Sequence, residues 1–149
     1  MKLVVQRVSR ASVSVGGTPV GSIGAGYLIL VGLAKGDTVA CAVKAARKIA
    51  ALRVFSDAEG KMNRAIKDVG GAILSISQFT LLGDVSGGNR PSFIGAMAGP
   101  EAEPLFDVFN FELSHTHGIP VATGVFGAHM EVELMNDGPV TIVFDVAAE

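Results

Sequence analysis

Near the middle of the chain, Ser77-Gln78-Phe79-Thr80-Leu81 places two hydroxyls and a carboxamide within four positions, around one aromatic ring. The run before it, Ala72-Ile73-Leu74-Ser75-Ile76, is short, apolar and preceded by Gly70-Gly71, which reads as a buried strand. After it come Gly83-Asp84 and the loop Ser86-Gly87-Gly88-Asn89-Arg90-Pro91. A polar cluster where a strand runs out into a glycine-rich loop presents chemistry from a rigid base. The same residue types also describe an ordinary strand end with turn chemistry. Other chemistries are missing from the sequence. There is no glycine-rich phosphate loop of either common spacing. No cysteine pair or His-X-X-X-His points to a metal, and no Ser-His-Asp triad can be assembled. Residue types alone therefore do not support an ordinary hydrolase mechanism.

A second stretch, Asn136-Asp137-Gly138-Pro139-Val140-Thr141, reads by itself as a turn joining two strands, with proline at a strand start. Taken together, the two stretches resemble the D-aminoacyl-tRNA deacylases, enzymes that remove D-amino acids from mischarged tRNA. The resemblance covers the whole chain. It includes Val5-Gln6-Arg7-Val8, Gly60-Lys61-Met62-Asn63, Asn89-Arg90-Pro91-Ser92-Phe93 and Gly124-Val125-Phe126-Gly127-Ala128. Two motifs in this order, in a chain of this length, make a specific signal.

The resemblance implies a substrate, an ester between a D-amino acid and the terminal ribose of tRNA; with no ligand motif in the sequence, no cofactor or metal is expected. Such esters are already reactive, so the site needs geometry and a place for negative charge. The catalytic group would be Ser77, Gln78, Phe79 and Thr80. Ser77 and the backbone N–H groups of Phe79 and Thr80 suit a developing oxyanion. The Gln78 amide could orient ribose or carbonyl, and Phe79 could stack on the terminal adenine or simply pack. Thr80 has no visible base. Attack by a positioned water helped by the ribose 2′-OH therefore ranks first, and covalent catalysis by Thr80 second. The resemblance further implies a homodimer and a cis Gly138-Pro139 bond. That bond would enter the partner's site, where its two carbonyls receive the α-ammonium group and wall off an L-side chain. Asn136 belongs to this motif, and Arg7 helps hold it. Without the family, Arg7 is an exposed strand charge.

The elements that must position these residues follow from periodicity. Lys2 to Val8, Ser12 to Val15, Thr18 to Ile23 and Tyr27 to Leu33 read as strands, with Gly16-Gly17 as a hairpin turn. Dense short strands with glycine punctuation predict a barrel or strongly curved sheet. A helix is expected over roughly Thr38 to Leu52, capped by Asp37 or Thr38. Val39, Val43, Ala46 and Ala50 would share its buried face, and Lys44, Arg47 and Lys48 another. That basic face reads either as a solvated surface or as a phosphate contact. Cys41 reads as packing. Arg53 to Ser56 could be a strand, and Asp57 to Lys61 a turn. A second helix is expected from Pro100 or Glu101, buried through Leu105, Phe106, Phe109 and Leu113 and ended by Gly118. His115 and His117 sit at its end, where the helix dipole accounts for them. His129 stands alone where the family more often has an acidic residue. Met130, Val132 and Leu134 alternate with Glu131 and Glu133 as a half-buried strand, and Val140 to Val146 follows as another.

The chain has 149 residues, which predicts one domain, 1–149, large enough to bury a core. Its apolar fraction of 49% excludes disorder and hints at surface covered by a partner subunit. No apolar run approaches a membrane span. No signal peptide is read, and the single cysteine fits a reducing cytoplasm. The formal charge of −2 argues against a general nucleic-acid binder, though not against a protein that grips the end of an RNA. The sequence reading is a dimeric, cytoplasmic α+β (α/β) deacylase on a compact barrel-like sheet flanked by two main helices. Its rivals are a non-catalytic binding module for an RNA end or small ligand, and a related proofreader of small L-residues.

Overall fold

The computed structural model describes residues 1–147. Strand β1 (Lys2–Val15) organises the sheet. Its first half pairs antiparallel with β3 (Gly26–Gly32), and its second half with β2 (Thr18–Ile23). Along its other edge it pairs with β8 (Glu131–Asp145). From β3 the sheet continues in parallel through β6 (Ala72–Ser77) to β7 (Val121–Thr123). β2 then closes on β7: a Cβ placed on Gly21 would lie 2.6 Å from the Thr123 carbonyl oxygen. The result is an almost closed barrel. Two helices, α1 (Val39–Ala51) and α2 (Gly99–Phe111), cover one side and pack on each other. A small hairpin, β4 (Phe55–Ser56) and β5 (Met62–Arg64), follows α1.

Alternation along the strands builds two cores. Leu3, Val5, Tyr27, Ile29 and Ile73 face the helices, against Ala45, Ile49 and Phe109. Val8, Val13, Leu28, Leu74 and Ile76 fill the barrel. β3 is buried on both faces, which explains its unbroken apolar run.

Three expectations change. The two strands expected within Lys2 to Val15 are one, because the chain keeps pairing with β8 while it changes partner from β3 to β2. Buried Val8 and Ala11 are three residues apart, and this break in period two coincides with register shifts after Gln6 and after Val8. The expected turn at Asn136 to Pro139 does not reverse the chain. Both of its flanks pair with β1, so Glu131–Asp145 is a single bulged strand. The buried face of α1 is Cys41, Ala42, Ala45, Ala46 and Ile49, while Val39 is 54% exposed. Small side chains let α1 approach the sheet and α2 closely, so packing overrides the apolar pattern that favoured the valines.

Thr38 caps α1, with its hydroxyl 3.5 Å from the Cys41 Sγ at the third helical position. Asp37 instead accepts the Ala34 N–H at 2.7 Å. α2 runs on into a π-helical turn, Glu112–Thr116, and the chain leaves it through Gly118 at φ 66°. Within that turn the His115 ring stacks on Phe111. No helix among the described residues is long and apolar enough to cross a membrane.

Candidate active site

β6 ends at Ser77, and the chain turns at once into a short 3₁₀ helix, Phe79–Leu82. The turn is held against β3. The Gln78 N–H donates to the Val31 carbonyl at 2.8 Å. Gly32 lies directly beneath: a Cβ there would meet Leu82 Cδ2 at 2.7 Å, Leu81 Cβ at 3.0 Å and the Gln78 carbonyl at 3.2 Å. The missing side chain is what lets the polar turn settle onto the sheet. Gly32→Ala is therefore expected to lift the turn and lower stability by about 1–3 kcal/mol. A denaturant midpoint equal to wild type would show that the turn yields freely.

Ser77, Gln78 and Phe79 line a cavity of about 460 Å³ between the barrel mouth and α2. Its other walls are mostly apolar, including Val31, Leu33, Met97, Ala102, Phe126 and Met130. A largely apolar cleft with a few converging polar groups is the usual form of a small-ligand site. His129 also lines it and is the one titratable side chain to do so. Among the described residues no three His, Cys, Asp or Glu side chains gather to hold a metal.

Thr80 is not among the lining residues. The Gln78 carboxamide Nε2 donates a short hydrogen bond to the Thr80 Oγ1. An oxygen lone pair of Thr80 is thus engaged by an amide donor, and among the described residues no side-chain base hydrogen-bonds its hydroxyl. Ser77 is half-buried, and its hydroxyl makes no hydrogen bond among the described residues. The N–H groups of Phe79 and Thr80, at the start of the 3₁₀ turn, have no partner within it. Phe79 is 56% exposed and meets Phe93 edge-on, with ring centroids 5.1 Å apart. The loop beyond is closed by paired backbone hydrogen bonds between Asp84 and Ser92.

The second motif lies apart from this cavity. Asp137 to Val140 bulge opposite Arg7 alone, because Gln6 pairs with Thr141 and Val8 with Asn136. Asn136 spans the bulge: its Oδ1 accepts the Val140 N–H at 2.8 Å and its Nδ2 donates to the Val140 carbonyl at 3.1 Å. Arg7 faces the helix side with Leu3 and Val5. Its Nε donates to the Asp137 carbonyl at 2.8 Å and its NH1 to the Val54 carbonyl at 2.7 Å. The Asp137 carboxylate adds a 3.7 Å ion pair. With its side chain only 11% exposed, Arg7 is a clamp rather than the exposed strand charge that residue type alone suggests. Gly138 has φ +151°, and the Gly138–Pro139 bond is cis. Both residues are exposed, and neither lines the cavity. A braced segment thus projects from the chain that carries it.

Comparison with known proteins decides the family. The profile described as D-Tyr-tRNA(Tyr) deacylase matches residues 4–145. The chain belongs to this family. A relative from Thermomicrobium roseum named D-aminoacyl-tRNA deacylase is 57% identical, over 99% of this chain and 95% of its own. Another of that name, from Lactobacillus delbrueckii subsp. bulgaricus, is 56% identical over 98% of this chain and all of its own. Among solved structures, one titled c-Myc DNA Unwinding Element Binding Protein is similar at a TM-score of 0.92 and 43% identity, covering 99% of this chain and all of that one. A probable eukaryotic D-amino acid tRNA deacylase shares the fold at a TM-score of 0.83 and 18% identity, covering 97% and 98%.

Sequence reasoning assigned no role to the cavity walls from α2 and from the Phe126–Val132 segment. The Gly124–Ala128 motif of the deacylase family was the visible signal for part of them. It carries no polar group, so nothing in its residue types marked it as a wall.

Proposed function

We propose that the chain hydrolyses the ester of D-aminoacyl-tRNA, releasing free D-amino acid and tRNA, and acts in the cytoplasm. The observation that carries this reading is the turn Ser77-Gln78-Phe79-Thr80 at the mouth of an apolar cavity, in a chain over half identical to relatives named D-aminoacyl-tRNA deacylase. The terminal adenosine enters the cavity, with Phe79 against its base. The scissile carbonyl lies at the turn, where the Ser77 hydroxyl and the N–H groups of Phe79 and Thr80 stabilise the developing oxyanion. Gln78 orients the ester while holding Thr80. Water attacks, assisted by the ribose 2′-OH.

The working unit in this reading is a homodimer. β8 pairs only with β1 among the described strands, and Met135 and Val143 on it are 51% and 62% exposed. A long uncovered edge with exposed apolar side chains favours a partner. Two-fold pairing would carry Gly138–Pro139 of one subunit to the cavity of the other. There its carbonyls meet the α-ammonium group, and the segment excludes an L-side chain. Discrimination by exclusion requires nothing of the D-side chain, so glycyl-tRNA is also a substrate.

The similarity to a chain titled as a DNA-element binding protein favours a second reading, a nucleic-acid-end binding module without turnover. Substoichiometric protein incubated with D-alanyl-tRNA separates the two. Release of many equivalents of D-alanine per subunit supports the enzyme; binding with no release leaves the module.

A further inference from the structure

We propose that residues 44–68 form a docking lobe for the phosphate backbone of the tRNA acceptor arm, placed on the flank that carries Gly138–Pro139. The inference rests on the deacylase reading for its ligand, but the charge and geometry are independent of it. Seven of the chain's twelve cations fall in this segment: Lys44, Arg47, Lys48, Arg53, Lys61, Arg64 and Lys67. Against its three carboxylates the segment carries a formal +4, in a chain whose total is −2, leaving −6 on the remainder. All seven cations are exposed.

Two of the three carboxylates are occupied by backbone. Asp57 accepts the N–H groups of Glu59 and Lys61 at 2.8 and 3.0 Å, and Asp68 accepts that of Ala65 at 2.8 Å. Glu59 pairs with Lys61 at 3.8 Å on the open surface, and Asp57 also faces the Arg64 charge, so the lobe keeps its excess of cations over carboxylates. The segment is one body. α1 packs on the 3₁₀ turn Ile66–Val69, and the Arg53 Nε donates to the Asn63 carbonyl at 3.2 Å, tying the end of α1 to β5. α2 has the opposite character, with exposed Glu101, Glu103 and Asp107 and no cation. A polyanion is therefore directed to the lobe and away from α2, which walls the chain's own cavity.

Arg7 fixes where the lobe stands. The same guanidinium that holds Asp137 beside Gly138 donates to Val54, between α1 and β4. In the proposed dimer, the lobe and Gly138–Pro139 of one subunit both flank the other subunit's cavity. The track and the chemistry then belong to different chains.

Binding of uncharged tRNA, followed by fluorescence anisotropy across a salt series, tests the lobe without catalysis. Arg47→Glu, Lys48→Glu and Lys67→Glu combined alter only exposed side chains. Lys2→Glu, Arg10→Glu and Lys35→Glu combined give the same net charge from outside the lobe. The lobe variant should bind at least ~10-fold more weakly, with a slope of log K against log salt shallower by about two to three. The control should keep the wild-type slope. Equal weakening by both variants, or an unchanged slope in the lobe variant, overturns the proposal. If tRNA binding behaves as expected but no aminoacyl ester is ever cleaved, the lobe stands and the deacylase reading falls. For the placement in trans, a Ser77/Gln78/Thr80 triple-alanine subunit is mixed with a Gly138→Ala subunit. Lobe reversal should raise KM when carried by the first subunit and not by the second; the opposite allocation overturns it.

Discussion

Gly138→Ala is expected to lower kcat/KM for D-aminoacyl-tRNA by ~100-fold, the scale of a misplaced positioning group, while leaving the fold intact. Gly138 sits at φ +151°, and a Cβ there would stand 2.6 Å from the Val140 backbone nitrogen and 2.8 Å from its Cγ2. Val140 is tied to Asn136 on both its N–H and its carbonyl, so it cannot give way without breaking the brace. The segment must shift as a whole. Gly138 and Pro139 are exposed, and the one core side chain that the new Cβ meets is Val140 at the edge of the bulge, so the rest of the core keeps its packing. The loss should be recoverable in trans. Mixing this variant with the Ser77/Gln78/Thr80 triple-alanine variant under subunit exchange should restore activity, since one of the two cavities in a mixed dimer is then complete. Mixed dimers that form yet remain inactive would contradict a shared site.

The second large effect concerns the attacking group. Replacing the terminal adenosine by its 2′-deoxy form should slow single-turnover hydrolysis by ~100-fold or more, the range of a lost general acid–base group. Thr80→Ala should retain measurable turnover. The reason is local: the Thr80 oxygen accepts from the Gln78 amide, no base takes its proton, and it does not line the cavity. Mass spectrometry of quenched reactions gives the opposing result a clear form. An acyl adduct on Thr80, with Thr80→Ala inactive, would make the threonine the nucleophile.

Much of this arrangement was legible in the residues. Period-two alternation gave most of the strands, glycine punctuation gave the curved sheet, and a polar cluster after an apolar run marked the end of β6. The rest depends on tertiary contacts that residue types do not encode. β1 and β8 looked like four strands because their alternation breaks at the bulge, where Arg7 faces four residues of the other strand. The packing face of α1 is mostly alanine, which a search for large apolar side chains passes over. The roles of Gly32 and Arg7 are invisible locally. One matters through the side chain it lacks, and the other through carbonyls 47 and 130 residues away in the chain. The cavity is assembled from four separate stretches; Ser77–Phe79 groups its polar residues in the sequence, whereas His129 stands alone among apolar neighbours in another.

Selection by exclusion is tested most directly by three esters that differ only in the presence or placement of one methyl. D-alanyl-, glycyl- and L-alanyl-tRNA would be compared in single-turnover deacylation on matched tRNAs, without a protecting elongation factor. Glycine has no Cβ to strike Gly138–Pro139, and its ammonium group still reaches the same carbonyls. A contact with the D-methyl would discriminate by only ~1–3 kcal/mol, whereas an L-methyl meets the braced segment itself. The prediction is rapid cleavage of the D-alanyl and glycyl esters and survival of the L-alanyl ester. Glycyl-tRNA that survives as long as L-alanyl-tRNA would contradict exclusion and require the site to grip the D-side chain.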